Sequence, residues 1–407
     1  MYRLIYGLAL RCYVLILRMA ATFHTKARLW VNGRKNLIRT VKQSLGNKNK
    51  VIWFHAASLG EFEQGRPLIE AIRKKYPNKK IVLTFFSPSG YEVQKNYPGV
   101  DLVCYIPLDT KRKMKAFVQA VNPEVLFVIK YEFWFNLFKI LKNRNIKIYL
   151  VSGLFRKEQH FFKWWGRWFR KELQSITWFF VQDESSQQLL KQAGFYNVSI
   201  SGDTRFDRVV RIAEKNGGVQ IPDFFTSHDP LVVAGSTWPQ DEAQLLPIIH
   251  ALHHVAWIIA PHQVEPQFVD DLMRKLPEGS IRLSEHNMQP NTRVLVVDSI
   301  GMLSKIYRFA KLAYVGGGFS KGIHNLPEAA VYGCPVVFGP NHKAFREAHE
   351  LKRVGGGFAV NNTGELSEII TKLLSDQQFH QKAAEAAKEY IRKNLGATAH
   401  ILDKTGY

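Results

Sequence analysis

Cysteine is scarce in this chain, which has only Cys12, Cys104 and Cys334 among 407 residues. They lie far apart and form neither a CxxC pair nor an even set that could build a disulfide framework. The motifs HExxH and GxxxxGK(S/T) are also missing, which argues against a tight zinc site and against ATP hydrolysis. We therefore expect a protein of a reducing compartment with no tightly bound metal and no cofactor.

Acidic residues are in short supply, with 34 Asp and Glu against 56 Lys and Arg and a formal net charge of +22. A surface with this excess attracts anionic lipid and phosphate-rich partners. Half of the excess lies in residues 1–50, which contain eleven Lys or Arg and no Asp or Glu. The bias predicts a local surface role for this segment rather than nucleic-acid binding, which requires a basic, aromatic-studded domain face.

The N-terminal apolar run is not a clear membrane span. Leu4–Leu17 is nearly all apolar, but Arg11 interrupts it, and a spanning helix needs about 20 mostly apolar residues. On a helix, Arg3, Arg11 and Arg18 fall within an arc of about 80°, beside a broad apolar face. This pattern is typical of a helix that lies in the membrane interface.

The basic residues that follow this run extend the same predicted surface. They are Lys26, Arg28, Arg34, Lys35 and Arg39, with Trp30 among them. Each basic residue near an anionic leaflet can add about 1 kcal/mol of attraction. We expect residues 1–48 to anchor the protein at the cytoplasmic face of the inner membrane. The alternatives are a short single span with snorkelling arginines and a cleaved signal peptide.

The rest of the chain is long enough for two domains, given typical domain sizes of about 100–200 residues. From about Lys50 to Gly202, apolar runs of strand length alternate with helical stretches, which predicts a parallel sheet covered on both faces. The runs are Val51–Phe54, Ile81–Phe85, Leu102–Ile106, Val125–Ile129, Ile146–Val151, Phe179–Val181 and Val198–Ser201.

A stretch rich in Gly and Pro, residues 214–230, interrupts the alternation and is interpreted as a linker. Alternation then resumes with Leu231–Ala234, Trp257–Ala260, Val294–Val297, Leu312–Val315, Val336–Phe338 and Phe358–Val360. We therefore predict an α/β protein with two Rossmann-like domains, residues 49–213 and 231–407, that face each other across a cleft. The last helical region could pack back on the first domain.

Ligands of open parallel sheets bind beyond the carboxyl ends of the strands, so the loops after strands are the candidate sites. The loop after the first run leads into a helix and places Glu61 near its N-terminus. The helix dipole favours the ionised carboxylate, which could take a proton from a sugar hydroxyl. The alternative is a helix-capping carboxylate with Ser58 as the N-cap, and the two roles can coexist.

Two further charged residues follow strands of the first half. Glu132 comes after the fourth run amid aromatic residues, and Arg205 comes after the seventh. A guanidinium at this edge could bind an anionic sugar or phosphate with two hydrogen bonds. The alternatives are a surface turn residue for Glu132 and a salt bridge from Arg205 to Asp203 or Asp207.

The loops of the second half supply short polar groups and backbone donors. Ser236 and Thr237 follow its first run, and Pro261 and His262 follow the next. The alternative for His262 is an ordinary loop histidine.

A glycine-rich turn follows the run that ends at Val315, and Gly322–Ala330 then enters a helix. Glycines such as Gly317 and Gly318 let a backbone approach a phosphate, and a helix N-terminus offers free N–H groups to it. Glu328, one turn into the helix, is positioned to accept hydrogen bonds from ribose hydroxyls. This pattern predicts an anion cradle, with an ordinary strand-to-helix turn as the alternative.

Five motifs occur in order over nearly the whole chain: HAASLGE at 55–61, YEFW at 131–134, GDTRFD at 202–207, APH at 260–262 and VGGGFSKGIHNLPEAAVYGCPVVFGP at 315–340. The ordered set resembles the lipid A 3-deoxy-D-manno-octulosonic acid (Kdo) transferases. The resemblance implies a GT-B fold and an inverting, metal-independent transfer of Kdo from CMP-Kdo to a lipid A precursor of the lipid IVA type, which bears two phosphates.

The resemblance also implies roles for single residues. Glu61 corresponds to the catalytic base, and Glu132 and Arg205 correspond to residues that orient or stabilise the donor at the transition state. Contacts to CMP are implied for Pro261, His262, Ile300, Gly301, Met302, Asn325, Leu326, Pro327 and Glu328.

The chain departs from the family pattern at three of these places. It has Pro261-His262-Gln263 where many relatives have Pro-Arg-His, and Gly301-Met302 where Gly-Glu is usual. It also has Arg205 where lysine is usual. The alternatives to Kdo transfer are another GT-B enzyme with a UDP-sugar donor and a lipid or cell-wall acceptor, and a non-catalytic membrane-surface binding protein.

Overall fold

A computed structural model describes residues 2–46, 50–215, 219–285 and 292–407. Residues 216–218, within the predicted linker 214–230, therefore lie outside the described residues. The rest of that stretch contains the end of one helix and a short second helix.

The chain divides into two compact units. The first is Met1–Asp207 together with Gly396–Tyr407, and the second is Arg208–Leu395. This division differs from the predicted boundaries at residues 213 and 231. Asp207 accepts hydrogen bonds from the backbone N–H groups of Gly396 and Thr398, and these bonds tie the end of the chain to the first unit.

The first unit contains the first seven strands. Its strands are β1 Val51–Ala56, β2 Lys80–Phe85, β3 Leu102–Tyr105, β4 Pro123–Ile129, β5 Lys147–Gly153, β6 Trp178–Val181 and β7 Val198–Ile200. Its helices are α1 Tyr2–Ala20, α2 Thr25–Asn32, α3 Leu37–Leu45, α4 Leu59–Lys75, α5 Pro88–Gln94, α6 Lys111–Val121, α7 Phe135–Lys142, α8 Arg167–Leu173 and α9 Glu184–Gln192. The next helix, α10 Arg205–Glu214, begins here and crosses the division.

The second unit contains the other seven strands. They are β8 Leu231–Thr237, β9 Ala256–Pro261, β10 Ile281–Arg282, β11 Val294–Val296, β12 Leu312–Val315, β13 Val336–Phe338 and β14 Gly357–Ala359. Its helices are α11 Asp223–Ser227, α12 Pro239–Ala251, α13 Pro266–Met273, α14 Leu303–Ile306, α15 Pro327–Ala330, α16 Arg346–Val354, α17 Thr363–Ser375 and α18 Gln377–Lys393. The last helix of the chain, α19 Ala397–Thr405, belongs to the first unit.

Each unit has one seven-stranded sheet in which every described pair of neighbouring strands is parallel. The strand orders are β3-β2-β1-β4-β5-β6-β7 and β10-β11-β9-β8-β12-β13-β14. The prediction of an α/β protein with two parallel sheets is confirmed, and each predicted run coincides with a strand. Only β10 was missed, because two residues are too few to give a periodic signal.

The central strands are buried on both faces, as the continuous apolar runs predict. All six residues of β1 are buried. Val51 and Trp53 pack into a core on one face of the first sheet, whereas Ile52 and Phe54 pack into a core on the other. Ile401 of α19 joins the second of these cores, so the chain end covers part of this sheet.

The strand order creates one switch point in each sheet. The chain leaves β1 toward β2 and β3, and then returns to the other side of β1 with β4. In the second unit β8 likewise lies between β9 and β12. The loops after β1 and β4, and those after β8 and β12, diverge there and leave room for a ligand.

Helix α1 presents an apolar face to solvent. Ile5, Leu8, Leu15, Ile16 and Met19 are exposed and lie within an arc of about 100°. No helix of the described residues combines the length and the apolarity that a membrane crossing requires.

The opposite face of α1 packs on the first unit. The Tyr6 hydroxyl donates to Asp109 Oδ2 at 2.8 Å, and its ring lies 5.2 Å from the ring of Phe135. Arg11 and Arg18 are exposed, whereas the side chain of Arg3 lies outside the described residues.

Arg34 was predicted to be part of the basic membrane surface, and this prediction is wrong. Its guanidinium donates to the backbone carbonyls of Trp30, Phe86 and Ile106 at 2.7–2.9 Å. It also lies 3.8 Å from the centre of the Trp30 ring, and Trp30 itself is buried. Arg34 therefore joins α2 to the loops after β2 and β3, because these carbonyls lack a donor from regular secondary structure.

Replacing Arg34 by alanine should lower the free energy of unfolding by about 3 kcal/mol, since it leaves buried carbonyls without a donor and removes a cation from an aromatic ring. Arg39→Ala is the control because Arg39 is exposed in the next helix. Denaturant unfolding followed by circular dichroism measures both. Equal losses in the two variants would contradict the structural role of Arg34.

Candidate active site

Glu61 lies at the switch point of the first unit, in the first turn of α4. Its Oε2 accepts hydrogen bonds from the backbone N–H groups of Ala57 at 2.5 Å and Ser58 at 3.1 Å. Ser58 is the N-cap residue of α4. The alternative interpretation, that Glu61 is a helix-capping carboxylate, is therefore confirmed. No hydrogen-bond donor among the described residues reaches the other oxygen, Oε1, which leaves that oxygen available for a second role.

The electrostatic surroundings raise the pKa of Glu61 above its ordinary value of 4.5. Burial of the carboxyl group is the largest cause, and the negative charge of Glu132 is the next. The hydrogen bond from Ala57 and the positive charge of Lys130 act in the opposite direction but are weaker. A carboxylate with a raised pKa is a stronger proton acceptor than an ordinary glutamate.

Glu132 lies in the loop after β4, beside a buried histidine. The distance from Glu132 Oε2 to His55 Nε2 is 3.5 Å. Trp134 Nε1 donates to the same His55 nitrogen at 2.9 Å, so this nitrogen is an acceptor without a proton. His55 Nδ1 then carries the proton and faces Thr84 Oγ1 at 2.9 Å. The buried histidine therefore links the loop of Glu132 and Trp134 to β2.

Arg205 forms the salt bridge that was its alternative reading. Its Nη2 and Nε lie 2.7 and 2.9 Å from Asp203 Oδ2, and its backbone N–H donates to Asp203 Oδ1. Burial alone would raise the pKa of Asp203, but the guanidinium and its hydrogen bonds lower it below the ordinary value. Gln64 of α4 also donates to Asp203, at 3.3 Å. The start of α10 is thereby fixed against the helix that contains Glu61.

Lys130 is a cation at the edge of the first sheet, near Glu61 and Asp203. It follows β4 with a positive φ of 62°, a conformation that is uncommon for a residue with a side chain. Its charge acts on both Glu61 and Asp203. Glu61, Glu132 and Arg205 are thus brought to one edge of the first sheet, with Lys130 among them.

In the second unit, three aromatic rings from three different strand ends form a stack. The centre of the His262 ring lies 4.6 Å from that of Trp238 and 4.6 Å from that of His324. Trp238 Nε1 donates to His324 Nε2 at 3.1 Å, and Lys321 lies 5.0 Å from the Trp238 ring centre. Burial and the neighbouring His262 lower the pKa of His324 to about 4, so its ring is neutral at neutral pH. His262 is therefore one member of a stack rather than an isolated loop residue.

The buried carboxylate of Asp241 organises the glycine-rich turn. It accepts hydrogen bonds from the Tyr314 hydroxyl and from the backbone N–H groups of Trp238, Gly317 and Phe319, at 2.8–3.3 Å. The Gly317 N–H group is therefore already used inside the protein. A phosphate bound at this turn would therefore need donors other than the Gly317 amide.

Close packing accounts for two of the glycines in this turn. A Cβ atom at Gly316 would lie 2.3 Å from the Ser236 carbonyl oxygen, and one at Gly318 would lie 2.4 Å from the Gly339 nitrogen. The backbone of the turn therefore packs directly against the backbone at the ends of β8 and β13. This close packing requires glycine at both positions, and the predicted approach of a phosphate stays a prediction.

The helix after the glycine turn is shorter than predicted. It comprises only Pro327–Ala330, with Leu326 as its N-cap, so it contributes few aligned peptide dipoles. Asn325 Nδ2 donates to Glu328 Oε1 at 2.8 Å. Asn325 Oδ1 is buried and has no hydrogen-bond partner among the described residues. A buried acceptor without a donor is suited to a ligand hydroxyl or amine.

The remaining predicted residues lie around the end of β8. Ser236 has a positive φ of 54°, and Thr237 Oγ1 donates to Glu242. A Cβ atom at Gly235 would contact Leu303, which directly follows the predicted set of Ile300, Gly301 and Met302. Pro261 ends β9.

Sequence reasoning missed Asp241, Trp238 and His324 as members of this site. Asp241 had a detectable signal, because it is the third residue of a helix that begins with Pro239 after a strand. The ring stack had none, because its members are far apart in sequence. No group of three or more His, Cys, Asp and Glu side chains within the described ranges is arranged to hold a metal ion.

Solved structures share the fold of both units. UDP-GlcNAc 2-epimerase from Neisseria meningitidis has a TM-score of 0.61 at 14% identity, over 87% of this chain and 98% of that one. MurG from Acinetobacter baumannii has a TM-score of 0.55 at 14% identity, over 88% and 98%. The chain therefore has the GT-B fold.

Sequence comparisons are more specific. Residues 32–208 match the family model described as 3-deoxy-D-manno-octulosonic-acid transferase. The transferase of that name from Aquifex aeolicus is 27% identical over 86% of this chain and 95% of its own length. The Haemophilus influenzae transferase is 27% identical over 86% of each chain. The chain is therefore similar in sequence to Kdo transferases over most of its length.

Replacing Asp241 by asparagine should lower the free energy of unfolding by about 2 kcal/mol, because the new amide group would turn N–H atoms toward donors. Hydrogen exchange at the Gly317 and Phe319 amides should accelerate. Asp271→Asn is the control, since Asp271 is half-exposed on α13 and forms surface ion pairs with Arg274 and Lys275. Unchanged exchange at the two amides would contradict the role given to Asp241.

Proposed function

We propose that the protein transfers Kdo from CMP-Kdo to a hydroxyl of a lipid A precursor, with inversion and without a resident metal ion. The observation that carries the proposal is the Glu61 carboxylate, which is placed at a switch point with one oxygen held and its pKa raised. The relation to Kdo transferases supports the choice of sugar.

Glu61 is proposed to take the proton of the acceptor hydroxyl. The hydroxyl oxygen then forms a bond to the anomeric carbon of Kdo, while the bond from that carbon to the CMP phosphate breaks. The backbone donors at Ala57 and Ser58 fix the carboxylate, and Oε1 meets the proton. A raised pKa supports this role, because proton transfer is most efficient when the pKa of the base approaches the working pH.

The charges around Glu61 suit an anionic donor. Kdo bears a carboxylate, and Lys130 and Arg205 are cations at the same edge of the first sheet. We assign them to the donor or to the developing charge of the transition state. Glu132 is proposed to orient the donor and to keep the pKa of Glu61 raised.

The cytidylate is proposed to bind at the carboxyl edge of the second sheet. The unpartnered Asn325 Oδ1 and the exposed Lys321 beside the Trp238 ring support this assignment. Lys321 is a cation for the leaving phosphate, a role that an arginine at position 262 would fill in many relatives. In this chain position 262 is instead a histidine, whose ring stacks between those of Trp238 and His324.

The acceptor is proposed to be reached from the cytoplasmic face of the inner membrane. The exposed apolar arc of α1, flanked by Arg11 and Arg18, supports an interfacial position on an anionic leaflet. The net charge of +22 matches an acceptor that bears two phosphates.

The function is tested by product mass. Purified protein is incubated with CMP-Kdo generated in situ and a lipid A precursor, and the expected product is the precursor with Kdo added. Chelation by EDTA should leave the yield unchanged, and CMP rather than UDP should protect the protein against thermal unfolding. Transfer from a UDP-sugar with none from CMP-Kdo would overturn the proposal.

Replacing Glu61 by glutamine should lower kcat by a factor of about 10² to 10⁴, because the side chain loses its proton-accepting oxygen while the shape is kept. Thermal protection by CMP should persist, since the cytidylate is assigned to the second unit. Glu63→Gln, in the same helix, is the control. Full activity in Glu61→Gln would reject the proposed base.

Replacing Glu132 by glutamine should move the acidic limb of the profile of kcat/KM against pH toward lower pH. The base is active when it is deprotonated, and removal of the nearby negative charge lowers its raised pKa. The position of the limb, not the height of the profile, is the readout. An unmoved limb in Glu132→Gln would separate Glu132 from the titration of Glu61.

A further inference from the structure

Residues 156–171, between β5 and the end of α8, form an unusual segment that we call the aromatic-basic segment. It contains six Lys or Arg, one Glu, three Trp and three Phe. None of the residues assigned to the active site lies in it. Its composition is typical of a surface that meets the headgroup region of a membrane, where aromatic rings and cations are both favoured.

The segment has a defined structure that rests on buried aromatic rings. Phe161 is buried, with its ring centre 4.8 Å from that of Phe133. Arg170 Nη1 donates to the backbone carbonyls of Phe161 at 2.7 Å and Lys163 at 3.1 Å. Gly166 allows a tight turn, since a Cβ atom there would meet the His160 carbonyl oxygen. These contacts hold the backbone of the segment in place.

Two tryptophans of the segment face solvent. Trp164 is 91% exposed and Trp165 is 42% exposed, whereas Trp53 and Trp257 in the two cores are fully buried. Burial of a Trp side chain yields a large apolar contribution, so its exposure in the isolated protein is unfavourable. An exposed pair of this kind marks an interaction surface.

Cations surround these tryptophans. Lys157, Lys163 and Arg170 line an open cavity of about 410 Å³ together with Trp164. Neither Lys157 nor Lys163 pairs with a carboxylate within the part of the chain that the structure describes, and Glu158 is the only acidic residue of the segment. The charge is therefore complementary to an anionic surface and unfavourable for a cationic one.

The aromatic-basic segment is packed next to α1. Trp168 lies 4.9 Å from Phe135 and 6.3 Å from Tyr6 of α1, measured between ring centres. The same helix exposes its apolar arc on the opposite side from Tyr6. The segment that contains Trp164 and Trp165 therefore packs against α1 within the first unit.

We propose that the aromatic-basic segment is a second membrane contact, which inserts Trp164 and Trp165 into the interface of an anionic bilayer beside α1. The cations around them bind lipid phosphates. The inference depends on the membrane association assigned to α1 but not on the transfer reaction. Two contacts, unlike one helix alone, would fix the orientation of the first unit on the membrane.

The test is a sedimentation assay of the full-length protein with vesicles of phosphatidylglycerol and phosphatidylethanolamine. Trp164→Ser should weaken binding about tenfold, because a large ring is lost from the interface. Lys157→Gln combined with Lys163→Gln should weaken it by a similar factor and remove part of its salt dependence. The control is Tyr196→Ser, since Tyr196 is 77% exposed in the same unit and should leave binding unchanged.

A second readout does not depend on affinity. Vesicles that contain brominated lipid should quench the tryptophan emission of the wild type more strongly than that of Trp164→Phe with Trp165→Phe. The transfer reaction with acceptor dispersed in detergent should be the same in Trp164→Ser and wild type, so a failed Kdo assay does not bear on this inference.

The possible outcomes test the contacts of α1 and of the aromatic-basic segment separately. If the wild-type protein does not bind the anionic vesicles, the membrane contacts proposed for α1 and for the aromatic-basic segment are both wrong. Binding that Trp164→Ser leaves intact, but that Leu15→Ser with Ile16→Ser abolishes, would leave α1 as the anchor and reject the second contact. Binding to an oligonucleotide through Trp164, without binding to vesicles, would reject the bilayer as the occupant.

Discussion

The position of the Glu61 carboxylate is the constraint on which the rest of the active site depends. A parallel sheet opens at one switch point, and the loop after β1 turns there into α4. Two backbone N–H groups hold one carboxylate oxygen, while burial and Glu132 make the ionised form less favourable. The same residue can therefore cap a helix and fill the proposed role of the base, because the cap uses only one of its two oxygens.

Two other buried carboxylates, Asp203 and Asp241, have a structural role that follows from their surroundings. Asp203 lies against the Arg205 guanidinium, which keeps its pKa low and its charge fixed. Asp241 pairs with no cation in the described part of the chain, but it accepts from four hydrogen-bond donors that join the ends of β8 and β12. Both carboxylates are satisfied by the protein, and they shape the loops without reacting. Glu61 differs because its surroundings raise its pKa and leave one oxygen unbonded.

Much of the fold was predictable, because buried parallel strands are continuous apolar runs and the loops after them contain the polar residues. The edge positions of Glu61, Glu132 and Arg205 followed from the same rule. Contacts between residues that are distant in sequence were not predictable, and Arg34 is an example. Its basic sequence context suggested a membrane surface, but backbone carbonyls and aromatic rings surround its guanidinium. The glycine turn shows the same limit, since one sequence cannot show that Asp241 accepts hydrogen bonds from the Gly317 and Phe319 amides.

The pKa of Glu61 in the free protein tests the central claim most directly. Carbon NMR of protein labelled at the glutamate carboxyl groups can follow this residue, with Glu61→Gln to assign its resonance. The account predicts a titration midpoint above the ordinary value of 4.5. A midpoint at or below that value would show a carboxylate stabilised in its charged form by the helix N-terminus alone, and would contradict its role as the base.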